Sequence, residues 1–147
     1  MIRAACHCTV VRFEIARPPT WVLDCNCTLC RRYGALWSYY MRREGDQDLL
    51  LRKPDPAATV AYAWQERDLA VHHCRVCGCI THIVAAKEPG QPVFAVNARM
   101  MLGLDPATVK LRQVDNGHTG WFWTRSDEPP MLSNHPPMPP PGPDDWR

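Results

Sequence analysis

The residues of this chain that could do chemistry are its eight cysteines, because most of them recur at short spacings. Seven fall into three groups: Cys6 and Cys8, then Cys25, Cys27 and Cys30, then Cys74 and Cys77. Residues i and i+2 of an extended strand point to the same side, so a Cys-x-Cys pair can offer two thiolates to one ion. A Cys-x-x-Cys pair can do the same around a turn, and four thiolates at about 2.3 Å form a closed zinc site.

These groups predict two zinc ions with different roles. The first and last groups together supply four sulfurs from distant parts of the sequence, which indicates a structural zinc held by Cys6, Cys8, Cys74 and Cys77. The free energy of binding at such a site adds to the free energy of folding. The middle group, Cys25, Cys27 and Cys30, has only three sulfurs, and an open coordination position is typical of a site that does chemistry. We therefore expect the second zinc to be the candidate catalytic ion.

The alternative is a second site that is closed by a fourth protein ligand. Cys79 follows Cys77 by two residues and is the first candidate, and His73 and His82 are others. A closed site would make both zinc ions structural and leave no chemistry. Thioredoxin-type redox chemistry is disfavoured because its βαβ context is missing.

The compartment bears on how these cysteines are interpreted. The sequence Cys6-His7-Cys8 stands where the apolar core of a signal peptide would have to be, so we expect a cytoplasmic protein. Reducing compartments disfavour disulfides and suit metal ligation.

The elements that must position these groups are predicted to be short strands separated by turns. Alternating or β-branched runs mark the candidate strands, which are Thr9 to Ile15, Trp21 to Cys25, Ala35 to Arg42, Asp48 to Arg52, Val60 to Trp64, Leu69 to His73, Ile80 to Ala85, Pro92 to Asn97 and Val109 to Val114. Helical turns are predicted at Leu29 to Tyr33, ended by Gly34, and at Arg99 to Leu102. The fold class is therefore mainly β.

Composition predicts one domain and a separate tail. The 147 residues are 46% hydrophobic, which is enough for one core, and no apolar stretch approaches the length of a membrane span. Eight of the fifteen prolines fall after Ser126, so we divide the chain into a domain at 1–125 and an extended Pro-rich tail at 126–147. A net charge of only +2 gives no reason to expect a nucleic-acid partner. The sequence leaves the oligomeric state open.

The three cysteine groups, in this order, resemble the family of glutathione-dependent formaldehyde-activating enzymes and centromere protein V. The matching segments run from Cys6 to Ile15, from Cys25 to Ala35 and from His73 to Gly78, and continue with Val96-Asn97-Ala98-Arg99 and Leu102-Gly103. The resemblance covers about residues 3 to 118. It implies a β-tent-like zinc-binding fold of short antiparallel strands. It also implies the same division into a four-cysteine structural zinc and a three-cysteine zinc.

The resemblance implies an activity as well. Members of the family are named for adding glutathione to formaldehyde, a carbon-sulfur bond-forming reaction that is classed with the lyases. We therefore expect a zinc-dependent enzyme that acts on an aldehyde adduct of glutathione or another small thiol. The alternatives are a non-enzymatic, zinc-stabilised binding module and a glutathione carrier without turnover.

Three residues are candidates for binding the substrate. Arg31 and Arg32 follow the three-cysteine group, and guanidinium groups bind carboxylates as planar forks. Their alternative role is to offset the charge of the thiolates or to face solvent. Asn97 matches the family's motif, as does Arg99, but ordinary turn hydrogen bonding explains Asn97 equally well.

Overall fold

The computed structural model describes residues 1–27, 29–41, 44–63, 68–105, 108–115 and 121–124, with the backbone alone at 114, 115 and 121–124. The predicted tail at 126–147 lies outside these residues, as do the predicted strand ends Arg42 and Trp64. No helix in the described ranges has the length and apolar character needed to cross a membrane.

Strands dominate the described residues. They are β1 (Ile2–Ala5), β2 (Arg12–Ile15), β3 (Trp21–Cys25), β4 (Leu36–Tyr39), β5 (Leu50–Arg52), β6 (Thr59–Ala63), β7 (Leu69–Cys74), β8 (Ile80–Ala85), β9 (Val93–Asn97), β10 (Met101–Leu102), β11 (Lys110–Asp115) and β12 (Trp121–Thr124). The helical segments are short: α1 (Cys30–Tyr33) and 3₁₀ turns at Asp46–Leu49, Pro56–Ala58 and Ala98–Met100. The prediction of a mainly β fold is confirmed.

The strands form two sheets. The smaller has the order β10-β1-β2-β5, and the larger has the order β12-β11-β3-β4-β9-β8-β7-β6. Neighbouring strands are antiparallel except β3 and β11, which pair in parallel from Lys110 opposite Trp21 to Val114 opposite Cys25. The expectation of antiparallel strands is therefore met with one exception.

The larger sheet has an apolar cluster on each face. Val22 packs with Phe13 and Ile15 of the smaller sheet, which forms the core between the two sheets. The adjacent Leu23 points to the opposite face, where it packs with Trp37. Successive residues of a strand face opposite sides, so β3 serves both clusters. Cys25 lies on the same face as Leu23, so the three-cysteine segment covers the outer face of the larger sheet.

The predicted elements differ from the observed ones mainly at their ends. The strand expected from Thr9 begins only at Arg12, because the chain turns at Thr9, whose φ is 62°. The helical turn predicted at Arg99 to Leu102 is observed as a 3₁₀ turn at Ala98–Met100, which begins one residue earlier. Met101 and Leu102 instead form β10, which pairs with β1, a strand that the sequence did not predict.

The short helix predicted after Cys27 is confirmed. It comprises Cys30–Tyr33, and Gly34 ends it with φ 60° while its N–H bonds to the Cys30 carbonyl. That left-handed conformation strains any residue with a β-carbon, so glycine is suited to this position. Gly34 thus fixes the point at which the cysteine segment returns to the sheet.

Candidate metal centres

The four cysteines that were predicted to share a structural site lie together. Cys6 and Cys8 follow β1 of the smaller sheet, whereas Cys74 ends β7 of the larger sheet and Cys77 lies in the following turn. Their four sulfur atoms all lie within 4.8 Å of one another. The Cys6–Cys8 and Cys8–Cys74 sulfur pairs are each 3.6 Å apart. The cluster therefore joins the two sheets.

These separations fit a tetrahedral metal site better than a disulfide. A disulfide requires a sulfur–sulfur distance of about 2.05 Å, and all eight cysteines are free. A regular tetrahedron with metal–sulfur bonds of about 2.3 Å has edges of about 3.8 Å. Cys6 and Cys74 are buried, so the two innermost sulfurs are shielded from water.

Backbone hydrogen bonds shape the four-cysteine cluster. The Val11 N–H donates to the Cys6 sulfur at 3.3 Å, and the Cys74 N–H donates to the Cys79 carbonyl at 2.8 Å. The N–H groups of Cys79 and Cys8 lower the pKa of Cys77 to about 5. Burial raises the pKa of Cys6 to about 12. Donors aimed at sulfur favour the thiolate form that metal ions bind.

The three cysteines of the middle group form a second cluster. Cys25 ends β3, Cys27 lies in the connecting segment and Cys30 begins α1, and their sulfurs all lie within 4.8 Å of one another. The Cys30 N–H donates to the Cys27 sulfur at 3.4 Å. Hydrogen bonds from the thiols of Cys25 and Cys30 lower the pKa of Cys27 to about 2. The pKa of Cys30 is raised instead. The hydrogen bond with Cys25 has the largest effect, and the bond with Cys27 has the next largest.

The second cluster receives one more donor, from Trp37 on β4. The Trp37 Nε1–H donates to the Cys30 sulfur at 3.3 Å, and the Trp37 side chain is fully buried. Trp37 was not among the site residues predicted from the sequence. A buried indole needs an acceptor for its N–H, and this requirement could have indicated that Trp37 contacts a polar group such as a cysteine sulfur.

Among the described residues, the three candidates for a fourth metal ligand lie outside both sulfur clusters. Cys79 is half-buried and lines a cleft beside the first cluster. His82 is buried, bonds through Nδ1 to the Thr81 hydroxyl at 2.9 Å and stacks on His72. His73 is half-buried on β7 opposite Val60 of β6. A role for Cys79 as a fourth ligand remains a prediction.

A cleft of about 510 Å³ adjoins the four-cysteine cluster and the end of α1. Cys6 and His7 line it beside the four-cysteine cluster, and Tyr33 and Gly34 line it at the end of α1, just after Cys30. Cys79 and Arg99 also line it. A small molecule in this cleft would lie beside the four-cysteine cluster and contact the end of α1.

The predicted substrate-binding residues occupy different surroundings. Arg31 and Arg32 are exposed on α1, next to Cys30. Asn97 is buried, and its side chain bonds to the backbone of three segments: it accepts from the N–H groups of Leu36 and Arg99 and donates to the Ile80 carbonyl. This geometry fits the alternative in which Asn97 organises a turn. The Arg99 Nε–H donates to the Gly34 carbonyl and so ties down the end of α1.

The fold and the clusters define a mainly β protein with two cysteine clusters that could hold metal ions. The family model described as glutathione-dependent formaldehyde-activating enzyme matches residues 1–112. The chain therefore belongs to that family.

A solved structure shares the fold. A crystal structure of a Rhodobacter sphaeroides protein, a structural genomics target, superimposes with a TM-score of 0.55 at 25% sequence identity. The match covers 71% of this chain and 92% of that one. No curated protein matches the chain.

Proposed function

We propose that this protein is a zinc-dependent carbon-sulfur lyase-like enzyme that joins glutathione, or another small thiol, to formaldehyde or a related aldehyde. The reaction forms a bond between the thiol sulfur and the aldehyde carbon, and the thiol proton ends on the aldehyde oxygen. The observation that carries the proposal is a cluster of only three sulfurs, which would leave one position of a tetrahedral zinc free, in a chain of this family.

The two clusters would take different roles. Cys6, Cys8, Cys74 and Cys77 would hold a structural zinc, because four thiolates complete its tetrahedron. Cys25, Cys27 and Cys30 would hold a second zinc with one position left for a ligand. When bound there, zinc would lower the pKa of a coordinated thiol and keep it as a thiolate near the aldehyde.

The residues around the second cluster would hold and orient the reactants. Trp37 and the Cys30 N–H donate to its sulfurs and so fix their positions. Arg31 and Arg32, exposed beside Cys30, would bind the carboxylates of glutathione. Asn97 would position the cleft wall through its backbone bonds, with direct contact to substrate as the alternative.

The division of the chain and its compartment belong to the same proposal. The family match ends at residue 112, which supports a catalytic domain within 1–125 that adopts the β-tent-like fold, followed by a tail at 126–147. Eight free thiols favour a reducing compartment such as the cytoplasm.

The competing functions are a zinc-stabilised binding module and a glutathione carrier. To separate them, the metal content per chain would be measured before and after a mild chelator, with and without glutathione. The formation of S-hydroxymethylglutathione would then be followed by NMR against the uncatalysed rate. An enzyme shows two zinc ions, one of them labile and protected or displaced by glutathione, and a rate above background.

Two variants sharpen this test. The Cys27→Ser variant should lose the labile zinc and the activity, whereas the Cys79→Ser variant should keep both if Cys79 is not a ligand. Two inert zinc ions and no reaction above the uncatalysed rate would indicate a binding module. Glutathione binding without an increase in the reaction rate would indicate a carrier.

A further inference from the structure

A second cleft, of about 700 Å³, lies away from both cysteine clusters. It lies beside the start of β3 and the end of β4, and its lining includes Trp21, Tyr40 and Asp46. Trp21 precedes Cys25 by four residues on β3, so the two are separated by about 13 Å along the strand. Its volume is in the range of small-molecule sites, about 300–1,000 Å³.

The lining includes two arginines, Arg17 and Arg112. Arg17 and Arg112 form neither an ion pair nor a hydrogen bond through their side chains with any residue in the described part of the chain. The Arg112 guanidinium stacks over the Trp21 ring at 4.5 Å, and Arg112 is half-buried. Stacking of this kind holds the guanidinium in place while its N–H groups stay available.

A buried pair of hydroxyl groups supplies a further donor. Ser38 Oγ donates to the Tyr40 hydroxyl at 3.1 Å, and both side chains are only 3% exposed. The bond uses one of the two hydroxyl hydrogens, and the Tyr40 hydrogen has no acceptor among the described residues. Burial raises the pKa of Tyr40, so the hydroxyl keeps its hydrogen at neutral pH. A buried donor without an acceptor costs free energy unless a ligand satisfies it.

We infer that this cleft binds the carboxylate group of a small organic molecule through Arg17, Arg112 and the Tyr40 hydroxyl. The two guanidinium groups supply positive charge and paired N–H donors, and the phenol supplies one neutral donor. Asp46 lies on the same lining, and its carboxylate would repel an anion. The repulsion is stronger for a phosphate than for a singly charged carboxylate, so the cleft favours a carboxylate. The inference does not depend on the proposed lyase activity.

The carboxylate could come from a peptide such as glutathione or from a free organic acid. Isothermal titration of the full chain with S-methylglutathione, succinate and inorganic phosphate separates these sources, and neither carboxylate probe carries a free thiol. At least one of them should bind, and Arg17→Gln and Arg112→Gln should each weaken that binding at least tenfold, equivalent to about 1.4 kcal/mol. Tyr40→Phe should weaken it several-fold, because the ring is kept and only the donor is lost.

Arg3→Gln is the matched control, since Arg3 is exposed on β1 and does not line the cleft. Circular dichroism would establish that each variant is folded. Three results would overturn the inference: no heat from either carboxylate at about 10 mM, binding that Arg17→Gln and Arg112→Gln leave unchanged, or binding of phosphate alone.

Discussion

Trp37 donates its indole N–H to the sulfur of Cys30 across 3.3 Å, so a residue at the centre of the larger sheet directly contacts the three-cysteine cluster. Trp37 pairs with Leu23 of β3 on one side and with Asn97 of β9 on the other. The position of the cluster is thereby set by three adjacent strands as well as by the segment that carries it.

The first prediction concerns this hydrogen bond. Trp37→Phe keeps an aromatic ring in the core and removes the donor to sulfur. Hydrogen bonds to charged groups contribute about 1.5–3 kcal/mol, so we expect one metal ion to dissociate roughly tenfold faster to a chelator. Trp21→Phe is the control, because Trp21 lies at the opposite end of β3. Equal release rates for Trp37→Phe and the unmodified chain would contradict a role for this bond in the metal site.

The second prediction separates the two clusters by their effect on folding. Cys74 is fully buried in the cluster that joins the sheets, so Cys74→Ser should prevent stable folding by removing a metal ligand. Cys27→Ser should leave a folded chain that has lost one metal ion, since its cluster covers only one face of the larger sheet. Circular dichroism and elemental analysis measure the two outcomes. A well-folded Cys74→Ser protein with its full metal content would disprove the structural role.

The grouping of the cysteines was predictable because the spacing of ligands within a strand or turn is a local property. Cys-x-Cys and Cys-x-x-Cys each bring two sulfurs together before any tertiary structure is considered. Local spacing accounts for Cys25, Cys27 and Cys30, whereas Cys6 and Cys8 could be matched with Cys74 and Cys77 only because a closed zinc site needs four sulfurs. The helical turn after Cys27 was predictable for the same reason, since Gly34 provides a local stop signal.

What the sequence did not show depends on contacts between distant segments. β1 is four residues long and was missed because its pairing with β2 and β10, rather than a strong local pattern, defines it. The bond from Trp37 to Cys30 and the bond from Arg99 to Gly34 join separate elements. The cleft at Arg17 and Arg112 depends on the parallel pairing of β3 with β11, which no local pattern specifies.

The third prediction tests whether Asn97 organises the backbone or contacts substrate. Asn97→Ala leaves the N–H groups of Leu36 and Arg99 and the carbonyl of Ile80 without their side-chain partner. A polar group left unsatisfied costs about 1–3 kcal/mol, and the lower end applies here because all three bonds are only partly buried, so we expect the free energy of unfolding to fall by roughly 3 kcal/mol. Asn97→Asp keeps the shape but places a carboxylate against the Ile80 carbonyl, and should destabilise at least as much. Urea unfolding of both variants measures this, whereas unchanged stability with a raised KM would indicate a substrate contact.

The last prediction is a pH dependence that arises at His82. Burial, with a smaller contribution from the nearby His72, lowers the pKa of His82 to about 3, against about 6.5 in an unfolded chain. Below pH 6.5 the unfolded chain takes up the proton and the folded chain does not, so acid favours unfolding until the pH reaches about 3. The free energy of unfolding should therefore fall by up to about 1.4 kcal/mol per pH unit through this window, or roughly 2 kcal/mol by pH 5.

The matched variant for His82 is His82→Gln, which has no titrating group at this position. The free energy of unfolding of both chains would be measured by urea titration at several values between pH 7 and pH 4.5. Acid release of metal ions from the cysteines acts on both chains alike, so the difference between their slopes isolates His82. The unmodified chain should lose stability more steeply than His82→Gln as the pH falls. Parallel slopes would mean that His82 takes up its proton in the folded chain as readily as in the unfolded one, against what its burial predicts.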